Sequence, residues 1–232
     1  MSTARKTCDI SVIIPTLNEA AVITDTVSVL AGLPGIEVLV ADGGSGDRTA
    51  ELAAAAGAQV IESRPGRGSQ LNAGAAAASG DILLFLHADT ILPGNFRSLV
   101  ADSLAQPEVV AGAFRFAVAA AGKRFRLLER FTNCRAKYLQ LPYGDQAIFL
   151  TRKQFREAGS FREMELLEDL DLMLRLRSKG RIALTPEAAT TSARRWRKLG
   201  LIRTTLVNQL ILIGYFCGAS PGRLARWYGK YR

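Results

Sequence analysis

Ile82-Leu83-Leu84-Phe85-Leu86 is an unbroken apolar run, preceded by Gly80-Asp81 and closed by His87-Ala88-Asp89-Thr90. A run this short and uniformly apolar reads as a strand buried on both faces, as in the middle of a parallel sheet. Both faces of such a strand must be covered by helices, which confines the chain to an α/β layered fold. The preceding sequence agrees. Residues 10–14, 36–41 and 59–62 read as strands, and a segment of helical spacing or high alanine content follows each. The segment 16–30 carries Val22, Ile23, Val27 and Leu30 at helical spacing, with Asn18 as its expected N-cap and Glu19 in its first turn. Pro15 is expected to end the first strand, because proline donates nothing to a ladder. Further strands are expected at 109–118 and 147–150, and helices at 69–78, 95–104, 122–138, 166–176 and 201–218. The alternation predicts a doubly wound, mostly parallel sheet. The 232 residues, 48% of them hydrophobic and without a Pro/Ser/Gly linker, predict one domain over 1–232, with a helical C-terminal extension at 194–232.

Ligands of open α/β sheets sit beyond the carboxyl ends of the strands. The chain places polar residues there repeatedly. Pro15, Thr16, Asn18 and Glu19 follow the first strand, and Asp42 opens Asp42-Gly43-Gly44-Ser45-Gly46-Asp47 after the second. Arg67 lies in a basic glycine-rich loop, and His87, Ala88 and Asp89 follow the fourth strand. Each has a simpler structural reading. Asn18 would cap a helix, Asp42 would hold a turn, and Ser45 or Asp47 would cap the alanine-rich helix. Arg67 would be a solvated arginine, and Asp89 or Thr90 would cap helix 95–104. Independent caps need not fall on one sheet edge, whereas a nucleotide site would. A carboxylate there can hold a divalent cation against a diphosphate. Neither glycine-rich loop has the spacing of a dinucleotide fingerprint or a P-loop. Later, Glu168, Asp169 and Asp171 open a helix, either as dipole complements or with one as a general base facing a pocket. With that base reading, Glu168 and the polar turn Tyr143-Gly144-Asp145-Gln146 are expected on the acceptor side.

Thirty Lys and Arg against 21 Asp and Glu leave a charge of +9, which points to an anionic partner. No aromatic-interleaved basic strand, zinc signature or helix-turn-helix signature accompanies it, which argues against nucleic acid and for phosphate or a membrane surface. Residues 201–218 are rich in Leu, Ile and Val but are interrupted by Arg203, Asn208 and Gln209. That is not a spanning helix, which needs ~20 mostly apolar residues. Arg194, Arg195, Arg197 and Lys198 precede it; Arg223, Arg226, Lys230 and Arg232 follow, with Trp196, Trp227, Tyr228 and Tyr231 nearby. An interfacial helix on an anionic membrane fits this pattern; so does a core or homodimer-interface helix. Cys8, Cys134 and Cys217 are odd in number and far apart, which suits a reducing compartment. Residues 1–7 are short and polar, unlike a signal peptide. The expected location is the cytoplasm, with peripheral membrane contact as its variant.

Four motifs occur in order: Ser11-Val12-Ile13-Ile14-Pro15-Thr16-Leu17-Asn18-Glu19, Val40-Ala41-Asp42-Gly43-Gly44-Ser45-Gly46-Asp47, His87-Ala88-Asp89, and Glu168-Asp169-Leu170-Asp171-Leu172. Together they resemble family 2 of the inverting nucleotide-sugar glycosyltransferases, whose GT-A fold is a three-layer α/β sandwich. Gly66-Arg67-Gly68-Ser69-Gln70-Leu71-Asn72-Ala73-Gly74, Leu84 to Thr90, Gly144-Asp145-Gln146 and Ser192-Ala193-Arg194-Arg195-Trp196 resemble, more narrowly, a bacterial arsenosugar-biosynthesis-type subgroup. The resemblance implies that Asp42 reads uracil and that Thr16, Asn18 and Glu19 hold the nucleoside. It implies Arg67 beside base or phosphate, Asp89 on Mn²⁺ or Mg²⁺, and Asp169 as acceptor of the proton from the attacking hydroxyl. Arg195 and Trp196 are implied at diphosphate and acceptor. Three positions depart from the pattern. His87 replaces the first Asp of D-x-D, as a metal ligand or a partner of ribose or phosphate. Gly43 replaces a second Asp. Ser192 replaces the Gln of Q-x-x-R-W, which argues against polymer synthesis. The implied donor is a nucleotide sugar, and the acceptor (small molecule, lipid or glycan) stays open. A nucleotidyltransferase would carry Arg and Lys in a glycine-rich loop after the first strand, and Thr16-Leu17-Asn18-Glu19 has neither. A non-catalytic sugar-nucleotide or membrane-binding module would tolerate loss of Asp169.

Overall fold

The computed structural model describes residues 10–229. The readings made on residues 1–7, Cys8, Lys230, Tyr231 and Arg232 lie outside the described residues. The chain runs β1 (Ile10–Thr16), α1 (Ile23–Ser28), β2 (Ile36–Asp42), α2 (Thr49–Ala55), β3 (Gln59–Glu62), α3 (Arg67–Ala77) and β4 (Ile82–Phe85). β1 pairs in parallel with β2 and β4, and β2 with β3. The anticipated parallel core is therefore present, with β1 at its centre.

The second half follows as β5 (Thr90–Ile91), α4 (Phe96–Leu104), β6 (Val109–Val118), α5 (Lys123–Leu139), a 3₁₀ turn (Gly144–Gln146), β7 (Ile148–Thr151), α6 (Arg152–Glu157), α7 (Glu168–Arg177) and β8 (Arg181–Thr191). α8 (Arg194–Leu199), α9 (Leu201–Phe216) and α10 (Pro221–Gly229) close the chain. One sheet holds all eight strands in the order β3-β2-β1-β4-β7-β6-β8-β5. β7 is antiparallel to both β4 and β6, β8 is parallel to β6, and β5 is antiparallel to β8. The sheet is mixed beyond β4, mostly parallel overall, and layered with helices.

Alternation along β1 divides the core. Ile13 joins Leu39, Leu83 and, from α3, Leu71 and Ala75 in one cluster. Val12 and Ile14 join Val38, Val40, Leu84 and the α1 residues Ile23 and Val27 in the other. The strands are thus apolar on both faces because both faces are covered.

Three local expectations are corrected. Pro15 does not end β1, which runs on to Thr16 in register with Asp42. Ile13 O accepts from Leu86 N, so Pro15, two residues on, faces the same side, beyond the last β4 partner. Its missing N–H costs no ladder bond there. α1 begins at Ile23, not near Asn18, and Asn18 has φ +58° and caps no helix. Asp89 and Thr90 do not cap the following helix either; its N-cap residue is Asn95.

Candidate functional site

The carboxyl ends of β1, β2 and β4 converge with the head of α7. Their loops are joined by side chain to backbone bonds. Asn18 Oδ1 accepts from Gly46 N at 2.9 Å, and Asn18 N donates to Ser45 Oγ at 2.9 Å. Asp47 accepts from Ala20 N at 3.2 Å and from Thr49 N at 3.0 Å, but the N-cap residue of α2 is Arg48, so neither Ser45 nor Asp47 is the cap expected of it. Buried Gln70, on α3, donates to Thr16 O at 2.6 Å and Ala41 O at 2.9 Å, which ties β1 to β2 at the site edge. A Cβ on Gly43 would sit 3.0 Å from Gln70 Nε2, so the glycine in place of a second Asp leaves room for that amide.

Asp42 is buried, and its carboxylate is saturated. It accepts from Thr16 Oγ1 at 3.0 Å, Ser45 Oγ at 2.6 Å, Gly44 N at 3.0 Å and Ser45 N at 2.8 Å. Burial pulls its pKa upward, but these bonds outweigh burial and hold the carboxyl below its ordinary value. Asp89 is the opposite case. Thr191 Oγ1 approaches it only at 3.5 Å. Burial and then the Glu19 charge raise its pKa, against a smaller lowering by Arg194. Arg194 is engaged elsewhere, with Glu19 Oε2 at 2.6 Å. A half-buried carboxylate with so little compensation is the donor that a hard divalent cation takes, so Asp89 fits a metal completed by diphosphate and water.

His87 is neutral. Burial first, then the Arg67 and Arg195 cations, push its pKa well below the ordinary value. Arg67 Nη2 lies against both ring nitrogens, closest to Nε2, and Arg67 Nε stands 3.7 Å from buried Glu168. The imidazole expected to ligate metal or to meet ribose or phosphate therefore meets a guanidinium, and a cation would take it only after Arg67 had moved. Asp169 heads α7. Its Oδ2 accepts from Gly144 N and its Oδ1 from Leu170 N, each at 2.7 Å. Pro15, Arg67, His87, Gly144, Glu168 and Asp169 line one small pocket, with apolar Leu71, Phe85, Ile148 and Phe161 around them.

Gly144 stands between two of these groups. A Cβ there would lie 2.9 Å from His87 Nε2 and 3.3 Å from Asp169 Oδ2. Gly144→Ala is expected to displace one of them. An overpacked methyl costs ~1–3 kcal/mol, and a misplaced reacting group costs about 10²-fold in turnover. Steady-state rates beside a thermal melt check this, and unchanged turnover would remove Gly144 from the site.

Beyond Gly144, Asp145 Oδ1 is buried with no hydrogen-bond partner among the described residues. Burial raises its pKa, Arg135 opposes, and Asp169 adds to the rise. Tyr143 is pushed up to about 12 by burial, against the nearby Arg135, whose guanidinium carbon lies 3.5 Å from the ring centroid. Gln146 corrects an expectation. It is fully buried and donates to Phe114 O at 3.0 Å, so it braces β6 rather than facing an acceptor. Trp196 packs edge-on against Phe116 at 5.9 Å, with Phe125 and Leu128 nearby, and so is engaged by β6 and α5. Arg195 donates to Asn208 at 3.4 Å, and its charge is felt at His87 and Asp145. Ala88 is buried behind β4. The sequence reading missed Gln70, Arg194, Arg135 and Thr191, although Gln70 and Arg194 lie within motifs it quoted.

Residues 11–162 match the family model described as Glycosyl transferase family 2. An uncharacterized glycosyltransferase of Mycobacterium tuberculosis is 39% identical over 109 residues, 46% of this chain and 49% of that one. Glucosyl-3-phosphoglycerate synthase of the same organism is 40% identical over 96 residues, 36% of this chain and 30% of that one. The chain thus spans about half, or less, of the length of the curated relatives it matches. In fold it is similar to the structure of the M. tuberculosis synthase in complex with Mn²⁺, uridine diphosphate and phosphoglyceric acid, with TM-score 0.60 and 23% identity over 90% of this chain and 78% of that one. It is also similar to S. aureus TarS 1–349 in complex with UDP, with TM-score 0.63 and 19% identity over 79% and 60%.

Proposed function

The chain belongs to glycosyl transferase family 2, and we propose that it moves a sugar, with inversion, from a UDP-linked donor to an acceptor hydroxyl. The observation that carries the reading is the contrast between two carboxylates, one beyond the end of β4 and one at the head of α7. Asp89 is half-buried with one marginal hydrogen bond, while Asp169 is aimed by two backbone N–H groups beside the pocket. Paired carboxylates in different environments take different roles. The Mn²⁺ and UDP held by the M. tuberculosis synthase, whose fold is similar, support a metal-bound uridine diphosphate donor.

In this reading Asp42 and the Thr16–Glu19 loop receive the nucleoside, and Asp42 exchanges one of its loop bonds for the base. Asp89 would hold Mn²⁺ or Mg²⁺ bound with the donor, and the ion supplies positive charge against the leaving diphosphate. Arg67 leaves His87 for the phosphates, with Arg195 adding charge from α8. Asp169 accepts the proton of the attacking hydroxyl, while Tyr143, Asp145 and Glu168 shape the acceptor side. The chain acts as one catalytic domain over 1–232, of which 194–232 is the helical extension. The narrower likeness to the arsenosugar-type subgroup rests on Gly66 to Gly74, Leu84 to Thr90, Gly144-Asp145-Gln146 and Ser192 to Trp196; Ser192 in place of Gln argues against polymer synthesis, and the acceptor is a small molecule, a lipid or a glycan.

Thermal melts with UDP, GDP or dTDP, each with Mn²⁺ or Mg²⁺, test the donor class. UDP with Mn²⁺ at a hundredfold excess over Kd is expected to raise Tm by about 5–10 °C. A transition that no nucleotide moves would count against the transferase reading.

A further inference from the structure

α9 carries a row of exposed apolar side chains. Ile202, Leu206, Leu210, Ile213 and Phe216 are between 52% and 62% exposed. Their spacing of four, four, three and three residues puts them on one helical face, while Val207 and Ile211 are buried on the other. α5 repeats the pattern with Leu127, Phe131 and Tyr138, 53% to 72% exposed. Single exposed apolar residues are ordinary, but two aligned rows call for an occupant.

The two helices border the same part of the molecule. Phe125 and Leu128 of α5 pack with Trp196 of α8 around Phe116 and Val118. Arg135 of α5 lies over Tyr143. Leu212 and Tyr215 of α9 pack on the core cluster that Tyr143 and Leu167 also join. α5 thus borders the turn at Tyr143–Gln146, and α9 joins it through α8, which touches both helices.

Charge selects the occupant. After Glu187 the sequence holds nine Lys and Arg and no Asp or Glu. α5 holds six Lys and Arg against one acid, and that acid, Glu129, is buried and bonded to Val118 N and Arg126. A second copy of this face would bring cations against cations. An anionic bilayer would meet the apolar rows together with the exposed cations on and before the same helices that the site does not use: Lys123, Arg124 and Arg130 on α5, and Arg197, Lys198 and Arg203 on α8 and α9. Crossing the bilayer is not the geometry. α9 has 16 residues, ~24 Å at helical rise, against a hydrocarbon core of about 30 Å. Among the described residues no helix is long and apolar enough to span a membrane.

We infer that α5 and α9 form a docking face that lies flat on an anionic lipid surface and holds the acceptor turn against it. The acceptor class that follows, a hydroxyl presented at a lipid surface, rests on the transferase reading; the binding face does not. The test is co-sedimentation of the full chain with phosphatidylcholine vesicles, with and without phosphatidylglycerol. Binding is expected to be at least ~10-fold tighter with the anionic lipid and to weaken as salt is raised. The double variants Leu206→Glu with Ile213→Glu, and Leu127→Glu with Phe131→Glu, should each lose at least ~10-fold in binding, with circular dichroism and UDP binding unchanged. Serine at the same positions replaces glutamate if those variants misfold, and the lipid comparison needs no variant. Equal binding to both vesicles, no sedimentation, or variants that bind like the parent would overturn the proposal. So would a concentration-dependent doubling of mass that the α9 variant abolishes, which would assign the face to a second copy. Nucleotide binding is read separately, so failure of the transferase reading leaves this result standing.

Discussion

Asp169→Asn is expected to abolish transfer while leaving UDP binding within a few-fold of the parent. Both carboxylate oxygens are fixed by backbone donors, Gly144 N and Leu170 N, each at 2.7 Å. An amide has one oxygen for the two, so one donor meets an NH₂ group and loses its bond. The larger effect is chemical, since an amide takes no proton from an attacking hydroxyl. Loss of a positioned base costs about 10²–10⁴-fold. The nucleoside side is untouched, because Asp42, Thr16 and Ser45 bond among themselves without Asp169. Single-turnover release of UDP beside calorimetry with UDP separates the two effects. Transfer surviving within tenfold would take the base role away from Asp169, and a parallel loss of UDP binding would make it a structural residue.

The carboxylates could be named from sequence because they end or begin elements that sequence displays well. β1, β2 and β4 are apolar runs, and α5 and α9 show helical spacing. β8 was not legible. Arg181–Thr191 contains Pro186 and Glu187, lacks a clean alternation, and is held by parallel pairing to β6 with shifts in register. β5 has only two residues, and it pairs with β8. The partners of each site residue were less legible still, because they come from far along the chain. Glu19 meets Arg194 175 positions later, and Asp89 meets Thr191 102 positions later. A polar turn also hides which way its side chains point: Asp145 and Gln146 are adjacent, yet Gln146 braces β6 while Asp145 keeps an unbonded oxygen. Gly144 is expected on the acceptor side, but the sequence does not show that His87 and Asp169 stand on either side of its missing Cβ.

Asp89→Ala should separate binding from stability in opposite directions. Burial and the Glu19 charge both raise the Asp89 carboxyl pKa above its ordinary value of 3.8. An acid whose pKa is raised by folding penalises the folded state once ionised. That penalty is absent below the ordinary carboxyl value and fully present above the raised one. In metal-free protein at neutral pH, removing this carboxylate should therefore leave Tm unchanged or raise it, since the 3.5 Å bond from Thr191 and the attraction of Arg194 that are given up are outweighed by burial and the Glu19 charge. The Glu19–Arg194 pair remains to hold the loop against the start of α8. Metal-dependent UDP binding should nevertheless fall at least ~10²-fold, in line with the loss of a group aimed at developing charge. Calorimetry with UDP and Mn²⁺, compared with UDP alone, reads the binding, and a melt of the metal-free protein reads the stability. A variant that binds UDP and Mn²⁺ like the parent would remove Asp89 from the metal site. A large fall in metal-free Tm would mean that Asp89 holds the fold together, and the contrast with Asp169 on which the reaction rests would be lost.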